Sequence, residues 1–251
     1  MSNITYLLFL GSGRTGSTLV GQLLNCHPNI MITNESRVLQ ESIKSGIKIS
    51  KYIPALMNIA HNSMTQGTSQ YDAPGKSDHT QKWQRDWVDI SKIANIDKGE
   101  IKFVGDKKQG GNTSLLISDK GAVMSAIDIR FIPITVIRDP HQVLASYIRL
   151  NGDIKKSCDI VMRDMSAGYD FTIQNNGIVM RYENLLNEPR KWCNDICNRL
   201  GIAINDDWIS LVVNTVNSGK KDYILSDHDL SYFESLPDYD SLIKKMDIFD
   251  F

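Results

Sequence analysis

The first apolar run of this chain, together with the turn that closes it, limits the fold more than any other segment. Residues 6–10 are continuously apolar and pass directly into Gly11-Ser12-Gly13-Arg14-Thr15-Gly16-Ser17-Thr18, after which Leu19, Leu23 and Leu24 recur on one face of a helix. A buried strand that ends in glycines and opens a helix brings successive backbone N–H groups to one point. The helix N-terminus adds about half a positive charge there. The glycines let the backbone come close to an anion. Against the nucleoside-triphosphatase pattern G-x-x-x-x-G-K-[ST], Gly11, Gly16 and Thr18 fit, but Ser17 stands where the lysine is required. The cationic role then falls to Arg14. The loop suits an anion but lacks the side chain that serves a magnesium-bound triphosphate. A glycine-rich turn with no ligand has the same local pattern.

Four more apolar runs follow, at 30–33, 101–104, 131–137 and 177–180, separated by helical patterns at 35–46, 112–126, 140–150 and 155–174. Strands alternating with helices of this length predict βαβ units. Runs with no polar alternation predict strands buried on both faces. The expected fold is α/β, with three layers and a mostly parallel five-stranded sheet flanked by helices. After Arg181 the pattern is helical over 183–200 and 205–217, and a short acidic-aromatic tail starts at Tyr232. Residues 63–86 are rich in turn formers and are expected to be a long loop, either a plain surface insertion or an acceptor-side lid. All 251 residues are expected to form one domain.

The charge balance of 28 Lys+Arg against 29 Asp+Glu argues against a nucleic-acid coat or a polybasic membrane binder. It does not argue against a local basic pocket. Cys26, Cys158, Cys193 and Cys197 are scattered, with no His or Cys pair at ligand spacing. They are expected to be reduced structural thiols of a cytoplasmic protein, with no metal site. No stretch approaches the roughly eighteen apolar residues of a membrane-spanning helix, so a soluble chain is expected.

Two further constellations lie at strand ends. Arg138-Asp139-Pro140 closes the run at 131–137 and opens a helix that carries Ser146. Pro140 suits the first helical turn and Asp139 the N-cap, while Arg138 sits where open α/β sheets bind ligands. Val104-Gly105-Asp106-Lys107-Lys108 closes the third strand at the same edge.

Taken in order, these stretches resemble the sulfotransferase family that uses 3′-phosphoadenosine 5′-phosphosulfate (PAPS). Arg14-Thr15-Gly16-Ser17-Thr18, with its Leu-rich helix running to His27-Pro28, is similar to the family's 5′-phosphosulfate loop. Asn34-Glu35-Ser36-Arg37-Val38 resembles a stretch of the tyrosylprotein branch whose second Glu is the proposed base. Arg138 and Ser146 match the 3′-phosphate motif, with His141 where relatives often carry a second Arg. Gly105-Asp106-Lys107 matches the motif whose Lys contacts the sulfonate and bridging oxygen. Arg181-Tyr182-Glu183-Asn184-Leu185 resembles an architectural stretch, with Tyr182 near the nucleotide, and Ser218-Gly219-Lys220-Lys221 a late nucleotide-side loop or a solvated lysine pair.

The resemblance implies a P-loop-like fold of the tyrosylprotein and bacterial style. It implies PAPS as donor and PAP (3′-phosphoadenosine 5′-phosphate) as product, with no metal. The acceptor would be a hydroxyl of a small molecule, glycan, lipid or peptide. Gly13, Arg14, Thr15, Gly16, Ser17 and Thr18 would hold the 5′-phosphosulfate, and Arg138 and Ser146 the 3′-phosphate. Lys107 and Arg14 would stabilise charge on the bridging oxygen, and Glu35 would take the acceptor proton. Glu35 has two other roles open to it, an N-cap or a salt bridge with Arg37, and His27 is a rival base with a structural alternative. Two other functions also suit these residues: a magnesium-dependent P-loop kinase or nucleotidase, against which Ser17 speaks, and a non-catalytic nucleotide-binding module.

Overall fold

The computed structural model describes residues 4–66, 97–216 and 224–247. Five strands, β1 (Thr5–Leu10), β2 (Ile30–Asn34), β3 (Phe103–Lys107), β4 (Phe131–Ile137) and β5 (Ile178–Arg181), form one sheet in the order β2-β3-β1-β4-β5. Every pairing is parallel. After β1 the chain leaves toward β2, and after β4 toward β5. The crevice between the carboxyl ends of β1 and β4 is therefore the switch point where open α/β sheets take ligands.

The strands are apolar throughout because both faces are covered. On β1, Leu7 and Phe9 point to one layer and Tyr6, Leu8 and Leu10 to the other, as the two-residue strand period requires. The first layer holds helices α1 (Ser17–Asn25), α8 (Tyr182–Asn187), α9 (Pro189–Leu200) and α10 (Asp206–Val216), with Trp208 fully buried. The second holds α2 (Val38–Ser45), α3 (Ile49–Gln66), α4 (Gln109–Ser118) and α5 (Lys120–Ala126). Beside β4, α6 (Pro140–Asn151) and α7 (Ile154–Gln174) pack with α11 (Asp227–Glu234) and α12 (Tyr239–Asp247) around Phe233, Leu242 and Met246. Burying each such large side chain contributes about 1.5–3 kcal/mol.

The α/β class, the five strands and the parallel sheet agree with expectation, and several boundaries do not. The third strand lies at Phe103–Lys107 rather than 101–104, because pairing with both neighbours carries it through polar Asp106 and Lys107. The helix expected from residue 35 starts at Val38, after a turn with positive φ at Glu35 and Arg37. The helix over 112–126 is two helices, parted where Asp119 turns to accept the Ala122 N–H. That over 183–200 is also two, the second restarting at Pro189, which suits a first-turn position because it has no N–H to give. Helix α3 departs from expectation. Pro54 inside it obscures a helical period of Ile49, Ile53, Leu56 and Ala60, all buried against the sheet, and this packing outweighs the local cost of the proline. It also covers the first residues of the loop expected at 63–86. The remainder of that loop lies outside the described residues, as do 218–221. Up to Asp247, the tail beyond Tyr232 holds the end of α11 and all of α12.

Candidate active site

The glycine loop is shaped by three residues in the left-handed region, Gly11 (φ 105°), Arg14 (φ 65°) and Gly16 (φ 87°). At Arg14 that conformation costs about 1–2 kcal/mol, so the surroundings must hold it. The start of α4 does so from behind. Thr113 Oγ1 accepts the Gly11 N–H at 2.7 Å, and Thr15 Oγ1 lies 3.3 Å from Gln109 Oε1. Gln109 in turn donates to the Val136 carbonyl at 2.9 Å, tying the loop to β4. Gly168 of α7 comes so close that a Cβ there would lie 2.3 Å from Gly11 N. The Thr15 side chain faces inward and is fully buried, so its backbone N–H is what it offers to a ligand.

In front of the loop, side chains from distant segments converge. Arg14 Nε donates to Ser146 Oγ at 2.9 Å, which joins the residues expected at the two phosphate positions. The Tyr182 ring lies against Gly16, where a Cβ would come within 2.3 Å of its Cδ2 and Cε2. The same ring carries the Arg138 guanidinium 4.9 Å from its centroid. Tyr182 thus fills the space that only glycine leaves at position 16 and supports Arg138 by a cation–π contact. Tyr147 reaches Ser12 Oγ at 3.5 Å, and a Cβ on Gly13 would meet its hydroxyl at 2.7 Å. Burial pushes the Tyr147 phenol above its ordinary range, partly opposed by its hydrogen bonds to Ser12 and Gly13.

On the β3 side of the loop, the Lys107 ammonium donates to Thr18 Oγ1 at 2.9 Å and pairs with Glu35 Oε1 at 3.2 Å. Its side chain is only 5% exposed, and its stem passes over Gly21 of α1, where a Cβ would lie 3.2 Å from Lys107 Cγ. Burial lowers the Lys107 pKa, and Glu35 opposes that by favouring the charged ammonium. Glu35 does not cap α2, whose N-cap is Arg37. The Glu35 N–H donates to the Lys107 carbonyl at 3.0 Å, one residue beyond the β2–β3 ladder. Asp106 is completely buried beneath this turn. Burial raises its carboxyl pKa, opposed by hydrogen bonds from Ser36 and Thr33 and by Lys107.

The other residues singled out from sequence take structural positions. Asp139 caps α6, accepting the His141 N–H at 2.8 Å. The His141 ring lies between Asp139 Oδ1 and Tyr239 Oη, 2.9 Å from each, and so ties α6 to α12. The Lys108 stem folds over Gly111. His27 is buried, with Nδ1 accepting the Asn29 N–H and its ring edge-on to Trp208, and burial lowers its pKa to about 4. It lies at the far end of α1 from Lys107 and Glu35, which removes it as a rival base. All four cysteines are buried and unpaired by disulfides. Among the described residues no group of three or more His, Cys, Asp or Glu is placed to hold a metal ion, and no helix is long and apolar enough to cross a membrane. Tyr147, Gln109, Thr113 and the contact of Tyr182 with Gly16 escape a reading of the sequence. The glycines they press against are the only local signal of them.

No protein-family model matches the sequence, and no curated protein does. Solved structures do match in shape. The chain is similar to the sulfotransferase domain of the Synechococcus PCC 7002 olefin synthase, with TM-score 0.52 and 16% identity, covering 99% of this chain and 95% of that one. It is similar to sulfotransferase STF9 from Mycobacterium avium, with TM-score 0.52 and 12% identity, covering 98% and 77%. A sulfotransferase from Alicyclobacillus acidocaldarius matches with TM-score 0.50 and 11% identity, covering 98% and 95%. From the parallel sheet to the glycine loop at its switch point, the architecture of this chain is the sulfotransferase fold.

Proposed function

We propose that this chain transfers a sulfuryl group from PAPS to a hydroxyl acceptor. The observation that carries the reading is the buried Lys107 ammonium, held between Thr18 of the glycine loop and the carboxylate of Glu35. One cation then bridges the loop that would hold the donor and the group that would activate the acceptor. The backbone N–H groups of 13–18, with Ser17 and Thr18, suit a 5′-phosphosulfate. Arg138 and Ser146 suit a 3′-phosphate, each charge-assisted bond contributing about 1.5–3 kcal/mol. Ser17 in place of the triphosphatase lysine counts against a magnesium-bound triphosphate.

In the reaction the acceptor oxygen attacks sulfur in line with the departing phosphate oxygen. Glu35 takes the acceptor proton as the new O–S bond forms. The old S–O bond breaks toward the 5′-phosphate, and Lys107 and Arg14 meet the charge that builds on that bridging oxygen. Lys107 must turn from Glu35 toward this oxygen when the donor enters. That movement frees the carboxylate to act as base.

Titration with PAP, and with ATP with and without magnesium, tests the reading. PAP is expected to bind equally well in the presence of a chelator, and labelled sulfate is expected to pass from PAPS to one member of a panel of hydroxyl compounds. Magnesium-dependent ATP binding without PAP binding would overturn the proposal in favour of a kinase or nucleotidase. PAP binding with no transfer to any member would favour a non-catalytic nucleotide-binding module.

A further inference from the structure

The turn at 34–37 has an unusual build. Glu35 and Arg37 both have φ of 61°, a region that side chains with a Cβ rarely adopt, and neither is glycine. Such a turn persists only when its surroundings hold it. Two consecutive N–H groups of the turn are held by two consecutive residues of β3. The Glu35 N–H goes to the Lys107 carbonyl at 3.0 Å, and the Ser36 N–H to Asp106 Oδ1 at 2.8 Å. The same Oδ1 also accepts from Thr33 Oγ1 at 2.9 Å, at the point of the ladder where Thr33 stands opposite Asp106. Asp106 is 0% exposed, and its other oxygen has no hydrogen-bond partner among the described residues. Burying a carboxylate in this way is costly. Packing alone does not require one, since the adjoining strand positions carry Leu8 and Val104.

We propose that Asp106 is a positioning residue: its buried carboxylate clamps the Ser36 N–H and so holds the strained turn that aims Glu35 at Lys107. The inference rests on the reading of Glu35 as the base. Asp106 does not touch the reacting atoms. It acts through the backbone of the neighbouring turn, and Lys107, the next residue in β3, completes the pair. One strand end thereby sets both the cation and the carboxylate it faces.

Three measurements on the full chain test this: Ser36 amide hydrogen exchange, PAP affinity, and hydrolysis of labelled PAPS, with water standing in for the acceptor. In the unsubstituted protein the Ser36 amide is expected to be protected. An amide that exchanges freely there would overturn the clamp outright. In Asp106→Ala, Ser36 exchange is expected to rise about tenfold or more, as for a locally opened turn. Hydrolysis is expected to fall about 100-fold, the scale of a misplaced catalytic group. PAP affinity is expected to stay within about twofold, because the lost interaction serves the transition state. Asp106→Asn keeps an acceptor oxygen of the same shape and is expected to restore both protection and most of the hydrolysis. It also serves if the alanine variant does not fold. Asp106→Asn with an intact, protected turn but hydrolysis as low as in Glu35→Gln would overturn the positioning role, because the charge itself would then be at work. Unsubstituted protein that binds PAP but shows no hydrolysis or transfer would fail the sulfotransferase reading instead, while the exchange result still decides the clamp.

Discussion

Gly16, with φ of 87°, is the N-cap of helix α1, and no side chain caps the first N–H groups. It ends at Cys26, and there the chain caps itself. The Cys26 N–H bonds back into the helix, and the Lys98 ammonium donates to the Asn25, His27 and Ile30 carbonyls, at 2.9 Å for His27 and 2.7 Å for Ile30. His27 and Trp208 pack behind it, with the Trp208 indole N–H on the Leu23 carbonyl at 2.7 Å. Both ends of a helix present unsatisfied backbone groups. The protein satisfies one set with the Cys26 N–H, the Trp208 indole and Lys98, and surrounds the other with Arg14, Lys107 and Arg138. The closed end is about stability. The open end, ringed by cations and shaped by glycine, is where the proposed donor would bind.

Four substitutions sharpen or break this contrast. At the open end, Glu35→Gln is expected to lower sulfate transfer by about 10²–10⁴-fold, the range for loss of a general base, with PAP affinity unchanged. Unchanged turnover would remove Glu35 from the base role. Gly16→Val forces a side chain into the Tyr182 ring at a positive φ. PAP affinity should drop by about 100-fold or more by calorimetry, with the helical circular-dichroism signal retained. Arg138→Ala is expected to weaken PAP by about 10–100-fold through loss of a charge-assisted contact, and adenosine 5′-phosphosulfate much less. Equal loss for both ligands contradicts a 3′-phosphate role.

The closed end gives the fourth. His27 has a folded pKa of about 4 against an ordinary value of 6.5, because burial disfavours the imidazolium. As pH falls from 6.5 to 4 the unfolded chain takes up a proton that the folded chain refuses, so the His27 contribution to stability drops across that window and is flat above it. The expected loss is on the order of 3 kcal/mol. Denaturant titrations at about pH 7 and about pH 4.5 should show a steeper decline for the unsubstituted protein than for His27→Asn, with PAP affinity at neutral pH the same in both. A variant at this end that abolishes PAP binding while the fold persists would break the contrast.

Much of the open end is legible in residue order. The glycine loop announces itself because positive φ and close backbone approach leave few alternatives to glycine, and Gly11 and Gly16 both need it. Arg138 at a strand end, with Ser146 on the helix it opens, is a local pattern too. Lys107 and Glu35 stand out only through resemblance to family motifs, and their pairing has no trace in the sequence at all. The turn that aims Glu35 reads as helix, because two strained residues held from a strand 70 positions away leave no local signature. Helix α3 is hidden by Pro54, a local penalty that burial on the sheet outweighs. Lys98 looks like any surface lysine, 73 residues from the carbonyl it caps.

The sequence by itself therefore determines the five strands, most of the helices between them, and the glycine-rich turn that closes the first strand. Backbone conformation and side-chain period are set by neighbours along the chain. Only the tertiary structure decides that β3 lies between β1 and β2. That adjacency brings Lys107 to Thr18 and Glu35, and Asp106 beneath Ser36. Contacts of this kind depend on which strands become neighbours, and strand order follows from packing both faces of the whole sheet rather than from any segment of it.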